Sequence, residues 1–221
     1  KGVIDRNALA GLLRYNYIPD PQCIFANVQK IRPGWLHQLR RVNGKWKEVD
    51  ARNWWSVEQI NLERSSSLYL DDTKTLDQLD LLLHEVITEQ GFADVPVGSF
   101  LSGGIDSSLI TSILQDVSND SVRTFTVGFE NKDFDEAVIA EDTARKLGTS
   151  HEELRLTADD VLQIIPDIPS VYDEPFADSS QIPTLAVCRF AASSVKVMLS
   201  GDGGDELFGG YNRYMWGPRL K

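Results

Sequence analysis

From Asp72 onward, segments of helical and strand character alternate, and a chain with that order has few folds open to it. Leu76, Leu79, Leu83, Val86 and Ile87 recur at helical spacing and predict an amphipathic helix over 73–90. Val95–Leu101 reads as a buried strand, Ser107–Val117 as a helix, and Val122–Phe129 as a strand rich in β-branched and aromatic residues. Asp135 can cap a helix that runs to Leu147, with Gly148 just past its end. His151–Leu156 is a strand, and Thr157-Ala158-Asp159-Asp160 resembles a capping box with Asp in place of Glu. Gln181–Ser193 is helical and Val195–Leu199 is a further buried strand. This order predicts an α/β fold: a parallel sheet with helices on both faces. Ligands of such sheets bind beyond the carboxyl ends of the strands, where the strand order reverses.

Residues 1–56 differ in texture. A short helix is expected at Arg6–Leu13, ended by the prolines of Tyr17-Ile18-Pro19-Asp20-Pro21. After the turn signal Pro33-Gly34, the alternation of Trp35–Leu39, the Asn43-Gly44 pair and the return segment Lys45–Val49 predict a β-hairpin. Trp54-Trp55 closes this block, and residues 57–71, with Ser65-Ser66-Ser67, read as a linker. The expected division is 1–56, a linker 57–71, and 72–221.

Two glycine-rich stretches fall at strand ends. The first, Ser102-Gly103-Gly104-Ile105-Asp106-Ser107-Ser108, hands a strand over to a helix. Glycine lets backbone approach an anion closely, a helix N-terminus offers unpaired N–H groups and the positive end of a dipole, and serine hydroxyls add donors. The stretch is therefore built to hold phosphate. It is neither GxxxxGK[ST] nor GxGxxG. Asp106 would repel phosphate unless a metal lay between them, so it implies Mg²⁺. The second stretch, Ser200–Tyr211, carries Asp202, Asp205 and Glu206 among five glycines. In a 3-2-1-4 strand order it lies beside the first, and Asp205 meets Asp106 across one Mg²⁺.

The formal net charge is −11 and the basic pair Arg40-Arg41 reads as a solvated turn, so nucleic acid is not an expected partner. No apolar run approaches the roughly 20 residues of a membrane span, and no signal-peptide pattern opens the chain. A cytoplasmic location is expected. Cys23 and Cys188 are far apart and read as two buried thiols; His37, His84 and His151 lack neighbours at zinc-ligand spacing.

At these residues the chain resembles a known family. SGGIDSS is similar to the pyrophosphate-loop signature SGGxDS of ATP pyrophosphatases. LSGDGGDELFGGYNRY, with Tyr172–Ser180, resembles more narrowly the glutamine-hydrolysing asparagine synthetases, over about 72–216. Residues 1–56 resemble the closing part of that family's N-terminal-nucleophile glutaminase domain. The resemblance implies an adenine-nucleotide alpha-hydrolase-like fold preceded by a small α+β glutaminase remnant. It implies a carbon–nitrogen ligase whose acceptor carboxylate, that of aspartate, attacks the α-phosphorus of ATP, releasing pyrophosphate. Ammonia from glutamine then displaces AMP. Implied for ATP and pyrophosphate are Ser102, Gly103, Gly104, Asp106, Ser107 and Ser108, with Leu101, Val127, Ser200 and Gly201 at the adenosine. Asp106 and Asp205 are the implied Mg²⁺ ligands, and Asp202 and Asp205 the implied catalytic residues.

This sequence departs from the family pattern in places. Asp202 stands where well-known members carry a catalytic glutamate, and Asp178 lies near where some carry an arginine. The glutaminase needs an N-terminal cysteine, and a catalytic lysine and fifth strand belong beyond Lys221, so an internal piece of a larger enzyme is the expectation, with a homodimer as a possible assembly. Other readings stay open: β-lactam, lasso-peptide or sugar-acid relatives, another pyrophosphate-loop enzyme, or a non-catalytic nucleotide-binding module.

Overall fold

The computed structural model describes residues 2–64, 71–130 and 136–217. The chain divides into two compact units, Lys1–Asp72 with Asp167–Ser179, and Thr73–Pro166 with Ser180–Lys221.

In the first unit, helix α1 (Arg6–Tyr15) starts at Asp5, whose carboxylate accepts the N–H groups of Asn7 at 2.7 Å and Ala8 at 3.2 Å. It ends at Asn16 in the left-handed region (φ 67°), so the helix stops at its own cap before the prolines act. Ala8, Ile18 and Ile24 form a small core with Leu12 and Cys23 against them. The expected hairpin is present: β1 (Trp35–Val42) pairs antiparallel with β2 (Lys45–Asn53) around Asn43-Gly44, both at positive φ. A bulge falls where Gln38 pairs Asp50 but Leu39 pairs Glu48. Gly34 (φ 72°) closes the open end, its carbonyl accepting Trp54 N–H at 2.9 Å, and a Cβ there would collide with the Trp55 carbonyl. Arg40 and Arg41 lie in β1, exposed, not in a turn. Part of the expected linker is helix α2 (Val57–Arg64), while Ser65-Ser66-Ser67 lie outside the described residues.

The second unit opens with α3 (Asp72–Gly91), followed by β3 (Val97–Phe100), α4 (Ile105–Val117), β4 (Arg123–Phe129), α5 (Ala137–Leu147) and β5 (Ser150–Leu156). Then come α6 (Ala158–Ile164), α7 (Ile168–Val171, in the first unit), α8 (Gln181–Ala191), β6 (Val197–Leu199), α9 (Gly204–Phe208) and α10 (Asn212–Trp216). β3 begins after Pro96, which has no N–H to give a ladder. β6 is shorter than expected because Val195 N–H is still bonded to Ala191 O at 2.9 Å, so Val195 belongs to the exit of α8. α6 carries the full capping box of Thr157 and Asp160. α5 ends on left-handed Gly148; Asp135, the expected cap, lies outside the described residues.

The sheet is parallel with order β5-β4-β3-β6, which is the expected 3-2-1-4. Strand alternation sorts the helices. Val97 and Leu199 pack with Ile87 of α3 and Ile113 and Leu114 of α4, and Leu101 packs with Ala140 and Ala144 of α5. Phe100, Phe125 and Met198 point the other way, onto Val187, Phe190 and Ala191 of α8. Helices therefore cover both faces. Ser99 and Thr111, both wholly buried, satisfy each other at 2.8 Å.

Candidate functional site

β3 and β6 run side by side in register, Ser99 beside Leu199, so the two glycine-rich stretches leave adjacent strands at one edge of the sheet. Each then opens a helix. α4 begins at Ile105, two residues before the expected start, which moves Asp106 from the loop into the first helical turn. α9 begins at Gly204 and puts Asp205 and Glu206 in its first turn, so the second stretch is only in part a loop.

The first loop is braced from inside. Ser107 Oγ accepts Ser102 N–H at 3.1 Å and stands 2.8 Å from Ser102 Oγ, which itself accepts Gly104 N–H at 3.1 Å. Ser108 donates its hydroxyl to Gly104 O at 2.7 Å. Ser107 is buried; Ser102, Gly103, Asp106 and Ser108 are half-buried and Gly104 is exposed. The hydroxyls expected to add donors for an anion are thus engaged in the loop itself. The N–H groups of Ile105, Asp106 and Ser107 precede the first i→i−4 bond of α4, made by Ser108 N–H to Gly104 O at 3.3 Å. They form the open, positive end of the helix. A Cβ on Gly103 would come within 3.1 Å of Ile139, so this residue has little room to be anything else.

The second stretch lies directly on the first. A Cβ on Gly201 would stand 2.8 Å from Ser107 N and 3.0 Å from Asp106 C, so Gly201 crosses the Asp106–Ser107 peptide. A Cβ on Gly204 would stand 2.5 Å from Asp106 Oδ2, and one on Gly210 would collide with Asp205 Oδ1. Asp106 therefore packs against the residue that precedes Asp205. Ser200 Oγ accepts Asp202 N–H at 3.0 Å, and Asp202 is exposed. Glu206 accepts the Tyr211 hydroxyl at 2.7 Å; that bond holds Glu206 below the usual carboxylate range and raises the Tyr211 phenol. Arg213 stacks on the Tyr211 ring at 4.2 Å.

Leu101 is buried, and its N–H donates to Phe125 O at 3.0 Å, the last tie between β3 and β4. β4 runs on to Phe129, paired with β5. Since Phe125 presents its carbonyl to β3, alternation turns the N–H and C=O of Val127 to the same side, where β3 has already ended. Sequence reasoning singled out Val127; the strand lengths supply the geometry. A groove of about 420 Å³ runs from Gly103, Gly104 and Ile105 along α4 to Thr143 and Leu147.

Cys188 is exposed and Cys23 half-buried, which corrects the expectation of two buried thiols; both are free. Cys188 and Arg189 are exposed on α8, whereas Leu185, Ala186 and Ala191 are its buried residues. Partial burial, then the nearby Asp202 charge, raise the Cys188 thiol above its ordinary value. Nothing in the local sequence around Cys188 signals that proximity.

Fold and loops together define a class: a parallel α/β domain with two glycine-rich segments, the second of them acidic, at its carboxyl edge. The family follows from comparison with known proteins. The asparagine synthase profile matches residues 78–220, and the chain belongs to that family. Over 211 residues it is 34% identical to asparagine synthetase [glutamine-hydrolyzing] 1 of Bacillus subtilis, covering 96% of this chain and 32% of that protein. It is 34% identical over 214 residues to a putative asparagine synthetase of Mycobacterium tuberculosis (96% and 31% covered). It is 32% identical over 220 residues to one of Methanocaldococcus jannaschii (98% and 40% covered). The chain thus spans between 31% and 40% of the length of these relatives. A solved NH3-dependent NAD synthetase of Campylobacter jejuni aligns with a TM-score of 0.42 at 16% identity, over 62% of this chain and 60% of that one. Among the described residues, no helix is long and apolar enough to cross a membrane.

Proposed function

We propose that this chain carries the nucleotide-activating part of an ATP-dependent carbon–nitrogen ligase that converts aspartate to asparagine. The observation that supports the reading most directly is the seating of Gly201 and Gly204 on Asp106, which lays the acidic second segment on the anion loop. In this reading residues 1–56 are the closing part of a glutaminase-like domain, 57–71 a linker and 72–221 the synthetase part, acting in the cytoplasm, with a homodimer as the assembly.

The first-turn N–H groups of α4, with the backbone of Ser102, Gly103 and Gly104, would receive the pyrophosphate. Ser107 and Ser108 keep that turn in shape through their bonds to Ser102 and Gly104. The backbone of Leu101, Val127, Ser200 and Gly201 would line the adenosine. Asp106 and Asp205 offer only carboxylate oxygens, which suits Mg²⁺, a cation that takes one or two carboxylates and completes its shell with phosphate and water. When bound, Mg²⁺ would neutralise the charge that builds on the departing pyrophosphate. The acceptor carboxylate bonds to the α-phosphorus as the bond to pyrophosphate breaks. Ammonia then bonds to the acyl carbon as AMP leaves. The nitrogen must lose a proton, and in this reading the exposed Asp202 is the carboxylate that takes it.

ATP–pyrophosphate exchange in the full-length gene product, with Mg²⁺ and with or without aspartate, tests this. Aspartate-dependent exchange supports the reading. Binding of MgATP without such exchange moves the enzyme to a relative with a different acceptor, for which Asp202 in place of glutamate is the sequence argument. Asp106→Asn should abolish exchange in a folded protein, and near-normal exchange would remove Asp106 from its role.

A further inference from the structure

The stretch Tyr172–Ser180 lies in sequence between α6 and α8, two helices of the sheet unit. Residues Asp167–Ser179 belong instead to the compact unit of Lys1–Asp72. The chain leaves the sheet unit after Pro166, joins the N-terminal residues as a strap, and returns at Ser180. Along this strap Tyr172, Glu174 and Phe176 are half-buried, whereas Asp173, Pro175 and Ala177 are exposed. The rings of Tyr172 and Phe176 meet edge to face at 5.0 Å, bracketing Glu174.

Glu174 is held at both oxygens of its carboxylate. One carboxylate oxygen accepts Ile24 N–H at 2.7 Å, and the other lies 2.6 Å from Lys30 Nζ. Against the effect of burial, Lys30 and the Ile24 N–H, with Cys23 beside them, hold the Glu174 carboxyl below its ordinary value. Lys30 Nζ also donates to Ile18 O at 2.7 Å and stands 3.9 Å from Asp20. Ile18 and Ile24 are two of the three core residues of this unit. Three residues beyond Glu174, Ala177 N–H donates at 2.7 Å to the carbonyl of Asn16, the cap of α1. An isolated surface ion pair contributes little. Here the Glu174 side chain is only 18% exposed and receives two donors, one of them a backbone N–H. Charge-assisted bonds of this kind are the strong ones, and an orphaned backbone N–H is expensive.

We infer that Glu174 is the anchor that fastens the strap to the N-terminal unit, with Lys30 as its obligatory counter-ion. The core of Ala8, Ile18 and Ile24 is small, and the Glu174–Lys30 pair spans it from Ile18 O to Ile24 N–H. Glu174 thereby serves cohesion within the unit of Lys1–Asp72 and Asp167–Ser179. This assignment stands whether or not the ligase reading does.

Hydrogen exchange on the whole chain tests it, read at the amides of Ile24 and Ala177, with the β4 amides as the reference. Glu174→Gln keeps the shape and removes the charge; Lys30→Met keeps the stem. Each should speed exchange at Ile24 and Ala177 by about tenfold, with β4 unchanged, as the loss of one charge-assisted bond dictates. The double variant should be no faster than about the faster single, because both remove one interaction. Unchanged exchange at Ala177 in Glu174→Gln would overturn the anchor. Multiplying effects in the double variant would overturn the pairing with Lys30. Equal acceleration in β4 would show a general loss of stability and overturn the local assignment.

Discussion

The Asp106 carboxylate lies against Gly204 so closely that a Cβ built there would stand 2.5 Å from Oδ2. These residues are far apart in sequence, yet a side chain cannot be added at 204 without moving the Asp106 carboxylate. The contact makes the second glycine-rich segment the floor on which the Asp106 side chain rests. It follows that its glycines serve packing as well as turn geometry.

Gly201→Ala should be the harsher of two substitutions. Its methyl would meet the Asp106–Ser107 peptide, which cannot rotate away, while the methyl of Gly204→Ala meets a side chain that can. Overpacking of this kind destabilises by about 1–3 kcal/mol. Calorimetric titration with MgATP and thermal unfolding would check it. An unchanged melting temperature and ATP affinity in Gly201→Ala would contradict the contact.

Ser107 and Ser108 should part company. Ser107→Ala leaves Ser102 N–H without its partner inside the loop, a loss of about 1–3 kcal/mol. Ser108→Ala gives up only a hydroxyl donated to a carbonyl that still receives Ser108 N–H, and should shift stability by about 0.5 kcal/mol or less. Denaturant unfolding of the two variants decides. Equal losses would mean that Ser107 does not brace the loop.

Stability should fall on mild acidification through His151. Its Nδ1 stands 2.9 Å from Thr124 Oγ1, and Nε2 is buried with no hydrogen-bond partner among the described residues. Burial lowers its folded-state value below the ordinary 6.5, against the weaker pull of Glu153 and Glu141. The unfolded chain therefore binds the proton first. The stabilisation is complete above about 6.5, and it is lost as pH falls from there through the lower folded value. Urea midpoints at a series of pH values, for the wild type and His151→Asn, would show it. Parallel curves for the two would dismiss His151 as the cause.

Cys188 should report on Asp202. The thiol is exposed but held above its ordinary value, first by partial burial and then by the Asp202 charge. Asp202→Asn should shift the pH–rate profile for alkylation of Cys188, followed by mass spectrometry, to lower pH. Cys23, the free cysteine of the other unit, serves as the internal control. A profile that does not move would separate the two residues.

Much of the site was legible because its signals are local. Helix and strand periods, the Asn43-Gly44 turn, the Thr157–Asp160 box and the Gly148 cap all act within a few residues, and each lies where its chemistry demands. Strand ends were less legible. Pro96 delays β3, and the Val195 bond to Ala191 O delays β6, since ladder bonds depend on which carbonyl is nearest and not on apolar character. Cys188 was misread because helix position alone does not tell which face is covered.

The order of elements and the residue types at the sheet edge thus follow from the chain read along its length. What the residues do to one another does not. Gly201 on the Asp106–Ser107 peptide, the inward Ser107 hydroxyl and the reach of Asp202 to Cys188 exist only once β3 and β6 lie in register. Glu174 meets Ile24 across 150 residues of sequence. A carboxylate carries the same letter in the sequence whether it faces water, a metal or a backbone N–H; its surroundings, set by distant segments brought together, decide which.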